Sequence, residues 1–140
     1  MRILGVDMGE RRVGVAITDE SCTIAQPFTT IENKGIQELV EALKQTAEEN
    51  NATHVVIGLP LNLDGTVGDS AKKILNIVEH LKQATGLEVT TWDERFTSRQ
   101  AERHLIALDK SRKRRKEISD QVAATLLLQA YIDWRKKQDV

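Results

Sequence analysis

Cysteine is nearly absent from this 140-residue chain: Cys22 stands alone, so no internal disulfide can form. The three histidines, His54, His80 and His104, are scattered and never fall at ligand spacing, which together with the single thiol excludes a structural zinc centre. No stretch approaches the roughly 18 apolar residues of a membrane span. The apolar run nearest the N-terminus, Ile3 to Val6, is too short for the core of a secretion signal. The expectation is a cytoplasmic protein with no membrane partner. Aromatic residues are few (Phe28, Trp92, Phe96, Tyr131, Trp134), and none is interleaved with basic residues as a base-stacking surface requires. Any contact with nucleic acid is therefore expected to run through the phosphate backbone.

Neither sign of charge dominates, with 20 Lys+Arg against 21 Asp+Glu and a net charge of -1. The balance conceals two opposed halves. Residues 1–94 hold 8 basic and 15 acidic side chains, and residues 95–140 hold 12 and 6. A neutral total thus does not exclude a polyanionic partner.

What is present reads as a globular protein: 40% hydrophobic and 29% charged residues, no internal repeat and no low-complexity linker, hence a single domain over 1–140. Residues 2–7 and 12–18 are β-prone runs joined by a few residues containing glycine, a hairpin pattern. A third strand falls within 23–31, where Pro27 demotes it to an edge or interrupted strand. Residues 35–50 carry Ile36, Leu39, Val40, Leu43 and Ala47 at helical spacing. Residues 54–59 form a near-continuous apolar run, the mark of a strand buried on both faces. After a turn-rich loop at 60–68, Asp69 or Ser70 is expected to cap a helix that ends at Gly86, and residues 87–92 form another strand. Thr97 and Gln100 make a capping box for a helix to about residue 107, and a last helix is expected over 119–135 with Ser119 as its N-cap. The order β-β-β-α-β-α-β-α-α predicts an α/β fold, a mixed five-stranded sheet with helices on its faces. Ligands of such sheets bind where the parallel strands end.

Three carboxylates belong to elements that can meet at that edge. Asp7 ends the first strand, two residues before Gly9. Asp93 and Glu94 end the fifth, and strand alternation points only one of them at a shared site; spacing alone leaves the choice open. Asp120 lies on the same side of its helix as Ala124, Leu127 and Tyr131, the stripe that should face the sheet, although a first-turn acid also complements a helix dipole. Converging carboxylates without His or Cys form a hard oxygen site suited to Mg²⁺ or Mn²⁺. Two such ions about 3.5–4 Å apart are a device for phosphodiester cleavage, one activating water and the other stabilising the leaving oxygen.

Four stretches carry a resemblance: residues 5–16 (GVDMGERRVGVA), 58–65 (GLPLNLDG), 93–98 (DERFTS) and 120–124 (DQVAA). In sequence and order they resemble the signature stretches of the bacterial YqgF family, also called RuvX. The resemblance implies an RNase H-like fold related to the RuvC resolvases. It implies an Asp, Glu, Asp metal site at Asp7, Glu94 and Asp120, thereby favouring Glu94 over Asp93. It also implies nuclease activity in maturation of the 16S ribosomal RNA 5′ end, with resolution of Holliday junctions as the alternative.

Other features are candidates for holding substrate. Gly9 and Gly14 leave the backbone open to a phosphate or metal, although close strand packing explains them equally well. The loop with Asn62, Asp64 and Gly65 can border a groove at a strand end. Arg95 adjoins the metal site and can hold a phosphate oxygen or form a surface ion pair. Lys110, Arg112, Lys113, Arg114, Arg115 and Lys116 put six cations into seven positions just before Asp120, and Arg99 and Arg103 share a helix face that extends the track. Two further readings stand beside the nuclease: an actin-like ATPase domain, for which the chain supplies one of two needed domains, and a non-catalytic nucleic-acid-binding factor. Structured RNA is favoured over branched DNA as partner, and a homodimer is open.

Overall fold

The computed structural model describes residues 1–96 and 112–138, with side chains for 1–95 and 119–138. The helix expected over 97–107 lies outside the described residues. Strands β1 (Arg2–Met8), β2 (Arg12–Thr18), β3 (Ala25–Glu32), β4 (Ala52–Leu59) and β5 (Glu88–Asp93) form one sheet in the order β3-β2-β1-β4-β5. The β1–β2 and β2–β3 pairs are antiparallel, and β1–β4 and β4–β5 are parallel. This is the α/β, RNase H-like architecture. The carboxyl ends of β1, β4 and β5 consequently share one edge of the sheet, where β2 begins. Pro27 is accommodated as its chemistry requires: β3 is an edge strand, and the register shifts between Val15 and Ala16 just opposite it.

Alternation gives the sheet two unlike faces. Leu4 and Val6 of β1, Val13, Val15 and Ile17 of β2, and Val55, Ile57 and Leu59 of β4 point one way, into a core closed by α1 (Ile36–Glu49) and α2 (Asp69–Thr85). The helices contribute Leu39, Val40, Leu43 and Ala47, and Ala71, Ile74, Val78 and Leu81, the stripes that their spacing predicts. The other face presents Ile3, Ala16, Ala25 and Val56 to α3 (Arg112–Gln138), which answers with Ala124, Leu127, Leu128, Tyr131 and Ile132. Because β4 lies between both layers, nearly all its side chains are buried, as its continuous apolar run predicts. Among the described residues no helix is long and apolar enough to cross a membrane.

Two expected boundaries are corrected. Helix α2 is preceded by an extended Gly68 that makes no side-chain cap; Asp69 is its first residue, where its charge complements the helix dipole, and Gly86 closes it in a left-handed conformation (φ 71°). Helix α3 starts at Arg112, not at Ser119. Arginine and lysine are good helix formers, so a basic run does not stop a helix from extending backwards through it. Ser119 is therefore an interior residue and not an N-cap, and Asp120 lies more than two turns inside the helix, beyond the reach of a first-turn dipole argument.

Candidate active site at the carboxyl edge of the sheet

Asp7 is central to the row of residues nearest the carboxyl edge on the α3 face. On one side it pairs with Gly14 of β2. On the other, the pairing of Val6 with Ile57 sets it beside Gly58 of β4, which in turn pairs with Trp92 of β5. Both flanking positions are glycines, and in each case the missing Cβ is filled by the neighbourhood of another acid. A Cβ on Gly14 would collide with the main-chain carbonyl of Asp120, and one on Gly58 would stand 2.7 Å from Glu94 Oε1 and 3.1 Å from Leu127 Cδ2. Farther along β1, a Cβ on Gly5 would come within 2.6 Å of Leu128 Cβ. The glycines thus let α3 settle onto the sheet with its main chain, bringing Asp120 to one side of Asp7 while Glu94 folds over the other. Close helix packing, and not room for a phosphate, accounts for Gly14. At Gly9 the side on which a Cβ would stand is likewise closed, by the Arg12 carbonyl.

Asp120 is half-buried and forms an ion pair with Arg12, Nε to Oδ2 at 3.3 Å. The contact lacks hydrogen-bond geometry: the same Oδ2 is out of reach of solvent and accepts no hydrogen bond. Burial pushes the Asp120 carboxyl above its ordinary value of 3.8, with Arg12 opposing. Asp7, Glu94 and Asp120 share a face and an edge without closing into a cluster; among the described residues no three His, Cys, Asp or Glu side chains are close enough to hold a metal ion as they stand. The donor set nonetheless fits a hard divalent cation. It consists of carboxylate oxygens alone, one of them buried and unsatisfied beside a cationic side chain.

Asp93 and Glu94 are placed differently. Asp93 is held by Arg95, whose Nη2 donates to Oδ2 at 2.6 Å and whose Nε and main-chain N–H donate to Oδ1 at 3.0 Å. These hydrogen bonds hold the Asp93 carboxyl below its usual range. The chain then turns through a short 3₁₀ segment, Glu94–Phe96, which returns Glu94 to the α3 face. Arg95 Nη1 also donates to the Leu63 carbonyl at 3.1 Å. Its guanidinium thus straps the 62–66 loop to the end of β5. Within that loop Gly65 N–H donates to the Asn62 carbonyl, and Asp64 accepts from the Thr66 hydroxyl (2.6 Å) and main-chain N–H, which hold its carboxyl low.

Arg99, Arg103 and Lys110 lie outside the described residues. The main chain at Arg112, Lys113, Arg114, Arg115 and Lys116 forms the first turns of α3, so these cations enter on the same helix as Asp120, Arg112 about 12 Å away along its axis. His54 is buried and hydrogen-bonded to the Thr90 hydroxyl at 2.8 Å, and burial lowers its tendency to protonate, in keeping with a structural role. Two members of the site escape the sequence reading: Arg12 and Gly58. The hairpin register held a signal for the first, since Arg12 and Gly14 alternate onto the same face as Asp7.

The whole chain has relatives. The family model described as "RuvX: Holliday junction resolvase" matches residues 1–134. A protein of Caldanaerobacter subterraneus subsp. tengcongensis is 44% identical over 137 residues, covering 97% of this chain and 99% of its own, and one of Thermoanaerobacter pseudethanolicus is 44% identical over 139 residues, covering 99% and 100%. Each bears the name "Putative pre-16S rRNA nuclease". Among solved structures, Thermus thermophilus RuvC in complex with a Holliday junction substrate superposes with a TM-score of 0.64 at 13% identity, covering 97% of this chain and 96% of that one. The fowlpox virus resolvase in complex with Holliday junction DNA gives 0.58 at 12% identity, covering 96% and 99%. At such identities these two establish a shared fold.

Proposed function

The chain belongs to the RuvX family, and from that premise we propose that it is a divalent-metal-dependent nuclease acting on pre-16S ribosomal RNA at its 5′ end, with Asp7, Glu94 and Asp120 as the metal-holding carboxylates. The observation that carries the reading is the row Gly14–Asp7–Gly58, in which glycines on both sides of Asp7 admit the other two acids from α3 and from the end of β5. Mg²⁺ or Mn²⁺, one ion or two, would supply Lewis-acid polarisation of a phosphoryl oxygen and activation of water. The chain's own residues do the rest. The three carboxylates stand on β1, on the turn that ends β5 and on α3, so a cation would draw their side chains together from elements already in place. The basic N-terminal turns of α3 attract phosphates towards the same helix that carries Asp120, which directs the scissile backbone to the acids. The strapped 62–66 loop forms one wall at the edge.

Resolution of branched DNA is the second reading, favoured by the family description and by the fold shared with RuvC. A symmetric homodimer would then be needed to place two sites for two cuts. The deciding experiment incubates the protein with Mg²⁺ and, in parallel, a 16S precursor bearing its 5′ extension and a four-way DNA junction. Cleavage of the RNA alone supports the first reading; cleavage of the junction alone replaces it with the second.

A further inference from the structure

Arg12 has no place among the three carboxylates, yet it forms an ion pair with one of them, Asp120. Three features of its setting bear on what it does there. Arg12 opens β2 at the carboxyl edge and alternates with Gly14 and Ala16 onto the α3 face, so it rises beside the place where Gly14 lets α3 approach. It reaches across to α3, although Glu32 lies directly opposite it on β3; Glu32 instead pairs with Lys34 at 3.6 Å. Its contact with Asp120 is also an incomplete one. The 3.3 Å approach supplies charge, but Oδ2 remains without a hydrogen bond in a place that water does not reach. A pair built for stability would be expected to be bidentate and fully hydrogen-bonded, as Arg95 and Asp93 are at the end of β5. The Arg12 pair opposes the acid's charge and leaves its oxygen without a hydrogen bond that an ion would have to replace.

We propose that Arg12 is a resident counter-charge: in the metal-free protein its guanidinium takes the cation's place at Asp120, and a divalent ion must displace it to bind. The inference rests on the assignment of Asp120 as a metal-holding group. It makes Arg12 a positioning residue that acts through Asp120 and sets how tightly the site takes its ion. Without it, a half-buried carboxylate beside the neighbouring acids would lose the charge that opposes its burial. With it, every binding event includes the breaking of one ion pair, which lowers cation affinity by the strength of that pair.

The test is a Mn²⁺ titration by calorimetry on the wild-type protein and on Arg12→Gln, Arg12→Lys and Asp120→Asn, with thermal midpoints recorded in chelator to show that each is folded. The expected result is that Arg12→Gln binds Mn²⁺ about three- to tenfold more tightly than wild type, in proportion to the modest strength of a partly exposed pair. Arg12→Lys, which keeps a less well placed charge, should fall between them, and Asp120→Asn should lose most of the binding. A merely structural Arg12 predicts the opposite sign, because a loosened site binds its ion less well. Equal or weaker binding by Arg12→Gln, with wild type binding normally, overturns the counter-charge and leaves the metal site standing. Absence of binding by the wild type, or unaltered binding by Asp120→Asn, removes the metal assignment and the inference with it. Should Arg12→Gln fail to fold, the Lys variant decides: binding no tighter than wild type overturns the proposal.

Discussion

The two faces of the sheet use the same strands for different ends. Towards α1 and α2 the strands present Leu4, Val6, Val13, Val15, Ile17, Val55 and Ile57, large side chains that hold the helices at side-chain distance in one continuous core. Towards α3 they present Gly5, Gly14, Ala16 and Gly58, and the helix main chain rests almost on the sheet. Side-chain bulk gives the first face its burial. Its absence gives the second face a helix near enough for Asp120 to stand beside Asp7. The contrast teaches where tolerance to substitution should end: on the first face a lost methyl group is costly, and on the second an added one is.

That contrast can be broken at several points. The largest effect is expected from Asp7→Asn, which removes a charge proposed to hold the metal and keeps the side chain's size; metal-dependent turnover should fall by about 10²–10³-fold or more, with the thermal midpoint little changed. Steady-state cleavage beside a melting curve checks both halves of the statement. Leu43→Ala acts on the other face. The side chain is fully buried against the sheet, so its truncation should cost about 2–5 kcal/mol in denaturant unfolding while the folded fraction keeps its turnover per molecule. Gly14→Ala should join the two kinds of loss, because its methyl group meets the Asp120 carbonyl and α3 has to shift. A destabilisation of about 1–3 kcal/mol is expected together with reduced turnover, and full activity in that variant would show that Asp120 is not held by close approach.

The smallest effect lies at the opposite edge, in the β2–β3 turn. There Asp19 accepts hydrogen bonds from the Ser21 hydroxyl and from the Thr23 and Ile24 main-chain N–H groups, which lower its carboxyl from 3.8 to about 2. A folded value below the unfolded one means that the stabilisation is fully present above about pH 3.8 and is lost as pH falls through about 2. Asp19→Ala should therefore melt slightly below wild type at neutral pH, with the difference shrinking across that window and turnover unaffected. A difference that persists unchanged at pH 2 would assign the effect to something other than the carboxylate.

Much of this was legible from residue order alone. The alternation in β1 and β2, the unbroken apolar run of β4 and the stripes of α1 and α2 each follow from local periodicity, and they suffice for the order of elements; the stripe of the last helix likewise puts Asp120 on the side that faces the sheet. What was not legible depends on partners distant in the chain. Helix α3 reaches back to Arg112 because cations that repel one another are still good helix formers. The meaning of Gly14 and Gly58 depends on which element lies over them, and a glycine looks the same whether a phosphate or a helix fills the space. The role of Arg95 turned on the Leu63 carbonyl, 32 positions away. Arg12 carries no local signal of its partner, because that partner, Asp120, lies on the last helix.

The central claim is that Asp7, Glu94 and Asp120 act as one unit, and the direct measurement is Mg²⁺-dependent turnover of the precursor RNA by Asp7→Asn, Glu94→Gln, Asp120→Asn and their three pairwise combinations. Groups that hold a common ion are strongly non-additive, so each double variant should be about as slow as the slower of its two singles. Losses that multiply across the pairs would show three independent contributions and contradict the shared site.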